Sequence, residues 1–345
     1  MSKPPYFSVI VPAYNVQDLL EHGIKTLTEH QGDFEDYEII VINDGSTDNT
    51  KLVAEKLASK DNKIKIINQE NKGAGVARNV GIKNAKGEYI VFLDPDDYFS
   101  DNVLFENYQI LKNHNDELNL LIYGYIVENY KFEKLITSTC KQLETKILET
   151  KEEFRQYFTE IVDNHFCNQI WTKIYKRQYL IDNKCQFNSY KQGEDLAFNI
   201  DVYMNLEKVL ISNKIYYHYV RTEKETAMSV FNENQYDIDK KINNLFYNLV
   251  NYWSEDQKID GIYRRNALNY YINTSQSFFS PKCKWNKQQK KLKIANMRRE
   301  IKNQMPNLKL SDFKKKAHKI DCLAYLYFPN FLLYGYLGMR FKIMK

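Results

Sequence analysis

Sulfur and histidine are too sparse and too scattered in this 345-residue chain to organise a disulfide frame or a metal finger. The cysteines, Cys140, Cys167, Cys185, Cys283 and Cys322, are odd in number and show no C-x-x-C spacing, so they read as reduced thiols of a cytosolic protein. His22, His30, His114, His165 and His318 show no metal-ligand spacing, and no Ser/His/Asp arrangement announces a hydrolase. Repeats and low-complexity tracts are absent. No charged start followed by an apolar stretch and a small-residue cleavage site is present, so no secretory signal is expected. The longest apolar stretch, Leu323 to Met339, is broken by Pro329, Asn330 and two glycines, and falls short of the roughly 20 residues a membrane span needs. What remains is a globular composition, 43% hydrophobic and 27% charged, in a chain long enough for two domains.

The first hundred residues alternate cleanly. "YFSVIVPAY", "YEIIVIND", "IKIINQ" and "EYIVFL" read as strands; Val16–Glu29, residues 48–59 and Gly73–Ala85 read as helices. Short apolar strands separated by helices mean βαβ units and a mostly parallel sheet, which binds ligands beyond the carboxyl ends of its strands. Three such ends carry polar residues: Tyr14 and Asn15, then Asn43 and Asp44, then the acids after Leu93. Residues 101–220 are mixed, with helices near 101–114 and 150–163 and a helix opening at "GEDLAFNIDVYMN". Strand-like "LNLLIYGYIVEN", "KFEKLITSTC" and "KVLISNKIYYHYV" lie between and after them. From about 232 to near 304 the pattern is helical, with Pro281 and Pro306 as breakers, which places a domain boundary near 230.

Three carboxylates stand in "FLDPDDYF", where a buried strand surfaces. Two carboxylates about 4 Å apart repel by about 4 kcal/mol at an effective dielectric near 20, and protonation, splaying into water or a cation relieves this. Asp-x-Asp suits a hard divalent ion shared with a diphosphate; a solvated turn capping the next helix is the plainer use. Asp44 stands at a strand tip, where helix capping by Thr47 or Asp48 does not explain it. "NKGAGVARNVG" offers small residues for close backbone approach, plus Lys72 and Arg78 for phosphate or base. It precedes the third helix rather than following the first strand, so the dinucleotide-binding fingerprint is not met. Gly193-Glu194-Asp195 also makes an ordinary helix start with acids at the positive end of the dipole. Trp171 and Lys173 in "NQIWTKIYK" read most simply as core and surface.

Taken together, "VIVPAYN", "VINDGSTDNT", "NKGAGVARNVGIKNAKGEYIVFLDPDD", "NQIWTKIYK" and "GED" resemble the family 2 glycosyltransferases of the GT-A fold, closely over residues 7–100 and more loosely to about 229. The resemblance implies a GT-A domain over 1–230, with a nucleotide-binding half at 1–100 and an acceptor-side half at 101–230. A helical, basic region follows at 231–345. On this reading Pro12, Ala13 and Tyr14 frame the nucleotide base, Asp44 accepts its ring N–H, and Lys72 and Arg78 line the base and phosphate side. Asp94-Pro95-Asp96 is the D-x-D motif: Asp94 turns toward ribose and metal, Asp96 is the chief ligand of Mn2+ or Mg2+, and Asp97 lies toward the sugar. Asp195 is the catalytic base. His218 and Arg221 belong to "YYHYVRTEKETAMS", a segment that closes over the donor diphosphate, although Thr226 stands where serine is commoner.

The expected activity is inverting transfer of a sugar from a nucleotide-sugar, a UDP-sugar, to a hydroxyl of a glycan or lipid-linked saccharide in cell-surface polysaccharide assembly. A non-catalytic sugar-nucleotide-binding or scaffold protein is the alternative. A nucleotidyltransferase would place a glycine-rich loop where this chain has "VPAYNV". Residues 281–319 hold fourteen Lys or Arg against Glu300 and Asp312, so this segment carries +12 of a chain whose net charge is +5 and the remainder carries −7. No nucleic-acid fold or aromatic platform accompanies the basic segment. Followed by "LAYLYFPNFLLYGYLGMRFK", it reads as a stripe for an anionic membrane surface, which places the protein at the inner face of the cell membrane. A packed helical subdomain or a homo-oligomer interface is the other use of this region.

Overall fold

The computed structural model describes residues 3–190, 193–222, 234–253, 257–305, 307–313 and 316–343. Its first half follows the alternation: β1 (Phe7–Ala13), α1 (Leu20–Thr28), β2 (Tyr37–Asp44), α2 (Thr50–Lys60), β3 (Ile64–Gln69), α3 (Ala74–Asn84) and β4 (Tyr89–Phe92). Strands β3, β2, β1 and β4 lie side by side in that order, all parallel, with Val9 level with Ile39 on one flank and Val91 on the other. Every residue of β1, β2 and β4 is buried. That matches their unbroken apolar runs, since a parallel sheet is covered on both faces.

Helix α1 begins four residues later than its periodicity predicts. Residues 15–17 are instead tied across to the loop after β2. The Asn15 N–H donates to Ser46 Oγ, that of Val16 to Thr50 Oγ1 and that of Gln17 to Asp48 Oδ2, while Thr47 N–H donates to Asn15 Oδ1 and Asn49 N–H to Gln17 Oε1. Side chains thus satisfy donors that a first helical turn would have left free. The loops after β1 and β2 become one rigid rim.

Beyond β4 the sheet turns mixed. The added elements are β5 (Tyr98–Phe99), α4 (Val103–Asn113), β6 (Leu120–Lys131), β7 (Lys134–Lys141), β8 (Lys146–Leu148), α5 (Lys151–Asp163), β9 (Lys173–Lys176), α6 (Arg177–Asp182), α7 (Glu194–Tyr203) and β10 (Val209–Arg221). Strand β9 runs antiparallel between β4 and β6, β10 lies parallel to β6, and β5 closes the path antiparallel to β10. The short β5, β8 and β9 and the one-turn α6 escape sequence patterning because runs of two to six residues carry no readable period.

Residues divide into two compact units, 1–224 and 225–345. The second contains α8 (Gln235–Tyr252), α9 (Gln257–Ser277), α10 (Lys287–Gln304), α11 (Lys316–Tyr327) and α12 (Asn330–Ile343). Its core gathers Ile242, Phe246, Leu249, Leu268, Tyr271, Met297, Ile301, Leu333 and Leu337. Pro281 lies between α9 and α10, whereas Pro306 falls outside the described residues. Pro329 separates α11 from α12, and among the described residues no helix is long and apolar enough to cross a membrane.

Candidate active site

Strand β4 delivers its acids into a turn closed by the Asp97 N–H donating to the Asp94 carbonyl at 3.0 Å. The turn is bolted to β10. Buried Asp97 accepts the Tyr217 hydroxyl on Oδ2 at 2.8 Å and the Val220 N–H on Oδ1 at 2.8 Å, and the Tyr217 oxygen accepts the Asp94 N–H at 3.2 Å. Burial, then the charges of Asp96 and Asp94, push the Asp97 carboxyl well above its ordinary value. Asp97 therefore anchors the turn through both oxygens rather than presenting a free carboxylate.

Asp94 and Asp96 are placed differently. Asp94 Oδ1 accepts from Arg78 Nη2 at 2.7 Å, and its Oδ2 accepts no hydrogen bond among the described residues. Asp96 is exposed, and among the described residues its carboxylate meets only its own backbone N–H. The protein wall behind it, then the Asp94 charge, push Asp96 up to about 6, a shift that solvent at its open side screens.

Arg78 reaches this corner because α3 lies unusually close to its neighbours. A Cβ on Gly75 would stand 2.7 Å from the Asn188 carbonyl oxygen, and one on Gly81 would run into Ile10. The small residues of "GAGVARNVG" thus let the helix press on β1 and on residues 187–188. Arg78 is only 4% exposed, its Nη1 lies 2.9 Å from Asp195 Oδ1 and 3.5 Å from Glu194, and the Phe187 ring covers it at 5.4 Å. Asp195 sits in the first turn of α7, behind Gly193 at φ 81°, a left-handed conformation that glycine adopts without strain. Burial pushes the Asp195 carboxyl up to about 7; Arg78 opposes the shift, Glu194 and Asp94 add to it, and Lys173 opposes it. About a quarter of the side chain, 27%, remains open to solvent.

Lys173 is not a surface residue, contrary to the sequence reading: it is 0% exposed. Its ammonium donates to the carbonyls of Phe166 and Gln169 and to Thr172 Oγ1. Burial pushes it down to about 7, yet three acceptors suit three ammonium donors. Trp171 is core, as read, stacked between Tyr217 at 4.4 Å and Tyr219 at 5.3 Å.

The remaining sequence-selected residues divide by accessibility. Pro12 and Ala13 are buried in β1, while Tyr14 is 47% exposed at its end. Asp44 accepts from Gln69 Nε2 and the Lys72 N–H on one oxygen and the Gly73 N–H on the other, fixing the start of α3; the Lys72 side chain is exposed. His218 lies between Glu128 Oε1 and Ser100 Oγ, 3.0 Å from each, and stacks on Tyr98 at 4.3 Å. Arg221 covers the Tyr219 ring at 5.1 Å. Thr226 and the other residues of the closing segment from 223 to 229 lie outside the described residues.

Two residues escaped the sequence reading. Tyr217, at the centre of the turn, is masked by the tyrosine-rich "IYYHYV". Glu128 collects the hydroxyls of Tyr98 and Tyr130 besides His218. An acid ending the apolar β6 was its visible signal, the same one that exposed Asp94.

Among the described residues no three His, Cys, Asp or Glu side chains converge as a ready-made metal site. Asp94 Oδ2 and Asp96 nevertheless offer hard oxygen donors, Asp96 being raised first by burial and then by its neighbour's charge, which fits an ion held by two carboxylates and completed by a diphosphate. Two surface clefts, one lined by Phe34, Phe105 and Lys214 and one by Lys3, Tyr6 and Arg177, share no residue with this constellation.

A parallel first half of the sheet continued by a mixed half, with acids at the end of β4 and the start of α7, is the GT-A architecture. Over 99% of the chain the fold is similar to the crystal structure of residues 1–349 of Staphylococcus aureus TarS in complex with UDP-GlcNAc, with TM-score 0.69, 23% identity and 92% of that chain covered. Residues 8–178 match the family model for glycosyl transferase family 2, and through this domain the chain belongs to that family. The uncharacterized glycosyltransferase EpsJ of Bacillus subtilis is 32% identical over 62% of this chain and 61% of its own length. The poly(ribitol-phosphate) beta-N-acetylglucosaminyltransferase TarS of S. aureus is 28% identical over 65% of this chain and 37% of its own length. The chain thus spans about three fifths of EpsJ and little more than a third of TarS.

Proposed function

We propose that this protein is a metal-dependent inverting glycosyltransferase that moves a hexosyl or N-acetylhexosaminyl group from a UDP-sugar to a hydroxyl of a glycan or lipid-linked glycan. The observation that carries this reading is the meeting of the strand-end acids Asp94 and Asp96 with Asp195 around one buried arginine. The solved likeness to a UDP-GlcNAc complex and relatives that include a poly(ribitol-phosphate) N-acetylglucosaminyltransferase support the donor class and the cell-surface polymer context.

A Mn2+ or Mg2+ ion, held by Asp94 and Asp96, would neutralise charge on the leaving diphosphate. Asp195 takes the proton of the attacking hydroxyl as the new bond forms. A carboxylate raised to about 7 is a stronger base than an ordinary one and is ionised for about half of the time at neutral pH. With one base and in-line attack, the anomeric centre inverts, so an α-linked donor gives a β-linked product. Tyr14, exposed at the mouth of β1, offers a ring to the base, and Asp97 and Tyr217 hold the acidic turn rigid.

We further propose that the division at about 230 separates this catalytic domain from a membrane-facing one. Ile320, Leu323 and Tyr327 on α11 and Phe331, Leu332 and Met339 on α12 are all exposed, beside exposed Lys316, Lys319 and Lys342. Apolar and aromatic side chains rimmed by lysines suit the headgroup boundary of an anionic inner leaflet, where a lipid-linked acceptor is met.

The decisive experiment is metal-dependent hydrolysis across a panel of UDP-sugars. Asp195→Asn should lower turnover about 10²–10⁴-fold with UDP affinity kept. No turnover with any UDP-sugar in Mn2+ or Mg2+, or full activity of the variant, would refute the assignment.

A further inference from the structure

Among the described residues, Arg78 is the one side chain that touches both halves of the proposed chemistry. It bonds Asp94, sixteen residues downstream, through Nη2 at 2.7 Å, and Asp195, 117 residues downstream, through Nη1 at 2.9 Å. At 4% exposure, with Phe187 over its face, the guanidinium has little surface left for a ligand. Its Nε is buried without a hydrogen-bond partner. A planar fork that gives one arm to each carboxylate fixes their separation and orientation together, which a point-like ammonium cannot do. The surroundings are built to hold this geometry: Gly75 admits the Asn188 carbonyl, and Asn79 pins Phe187 by donating from Nδ2 to its carbonyl at 2.7 Å and accepting its N–H on Oδ1 at 2.9 Å.

We infer that Arg78 is a positioning residue that locks the base Asp195 to the donor-side acid Asp94, and not a nucleotide ligand. This rests on the glycosyltransferase reading above and deepens it. Any shift of the Asp94 turn on loading the donor is passed to Asp195 through a single rigid fork. Losing the fork leaves Asp195 in place on α7 but free to swing, and a misplacement of about 1 Å costs a reaction on the order of 10²-fold.

The test is Arg78→Lys, which keeps the positive charge and removes the fork. The expected result is a kcat lowered about 10²-fold in UDP-sugar hydrolysis, with UDP affinity by calorimetry within about twofold of the unmodified chain. In an Asp195→Asn background the same substitution should cost less than about twofold more, because residues that act as a unit are not additive. A large loss of UDP affinity at unchanged kcat would make Arg78 a phosphate or base ligand and overturn the inference, as would costs that multiply in the double variant. Should Arg78→Lys fail to fold, Phe187→Leu loosens the clamp with every charge in place: kcat should fall several-fold at unchanged UDP affinity, and an unchanged kcat sinks the proposal. Failure of the underlying enzyme reading is distinct, since it would show as no turnover by the unmodified chain.

Discussion

Tyr217→Phe removes one oxygen and leaves everything else in place, so its cost can be worked from the structure. The ring is fully buried and stacks on Trp171 at 4.4 Å, a contact phenylalanine keeps. The lost hydroxyl donates to Asp97 Oδ2 at 2.8 Å and accepts the Asp94 N–H at 3.2 Å. A hydrogen bond to a charged group contributes about 1.5–3 kcal/mol, and in a unit of 224 residues each kcal/mol moves the midpoint about 2–4 °C. The expected drop is therefore about 3–12 °C, read by circular dichroism melts at pH 8. The sign with pH follows from Asp97, whose carboxyl is already raised by burial and by Asp96 and Asp94. Removing a donor to the carboxylate raises it further, so the deficit is full where Asp97 is ionised and shrinks as acid protonates it. A midpoint shifted by less than about 1 °C at pH 8, or a deficit that grows in acid, would refute the argument that this hydroxyl holds the acidic turn.

Further outcomes follow from the same geometry. Because Asp195 is pushed up to about 7 and works as a base only when ionised, kcat/KM should rise with pH and level off above about 7; an acid limb near the ordinary carboxylate value would show that the burial does not persist in the working enzyme. Asp96→Asn should weaken Mn2+-dependent UDP binding about tenfold or more while leaving metal-free UDP binding unchanged, and equal loss with and without Mn2+ would remove Asp96 as a ligand. The full chain should co-sediment with anionic vesicles but not neutral ones, less so at high salt. Phe331→Ser combined with Leu332→Ser should weaken that binding, and no pelleting with anionic vesicles would end the membrane proposal.

The first half of the fold was legible because β1, β2 and β4 are buried on both faces and helices of 9 to 11 residues separate the strands. Apolar runs such as "SVIVPA" and "EIIVIN" have no other use in a globular chain. Legibility failed where tertiary contacts override local pattern. Val16–Leu19 has helical periodicity, but the backbone donors of Asn15, Val16 and Gln17 find better-placed acceptors in Ser46, Thr50 and Asp48, so α1 starts at Leu20. Strand β9 has four residues and is recruited by β4 and β6 on its two sides, a pairing that nothing within "KIYK" announces.

The site divides in the same way, by whether a residue's environment is local. Asp94 and Asp96 stood out in the sequence because they surface just after buried Leu93, although a solvated turn capping the next helix was the plainer use of the same residues. Asp97 belongs to the same triplet, yet its environment is made by Tyr217 and Val220, 120 and 123 residues away, and it turns inward while Asp96 turns out. Lys173 looks like a surface lysine in "WTKIYK" until the carbonyls of Phe166 and Gln169 wrap around it. Arg78 carries the lesson furthest. Its residue type and the family resemblance set it among the residues lining the base and phosphate side. Its actual partners, Asp94 and Asp195, are acids that the sequence had assigned separate tasks, and only the close approach of α3 through Gly75 and Gly81 reveals that one guanidinium serves both. The acids stand out locally, but the guanidinium that bridges Asp94 and Asp195 is defined only by the fold.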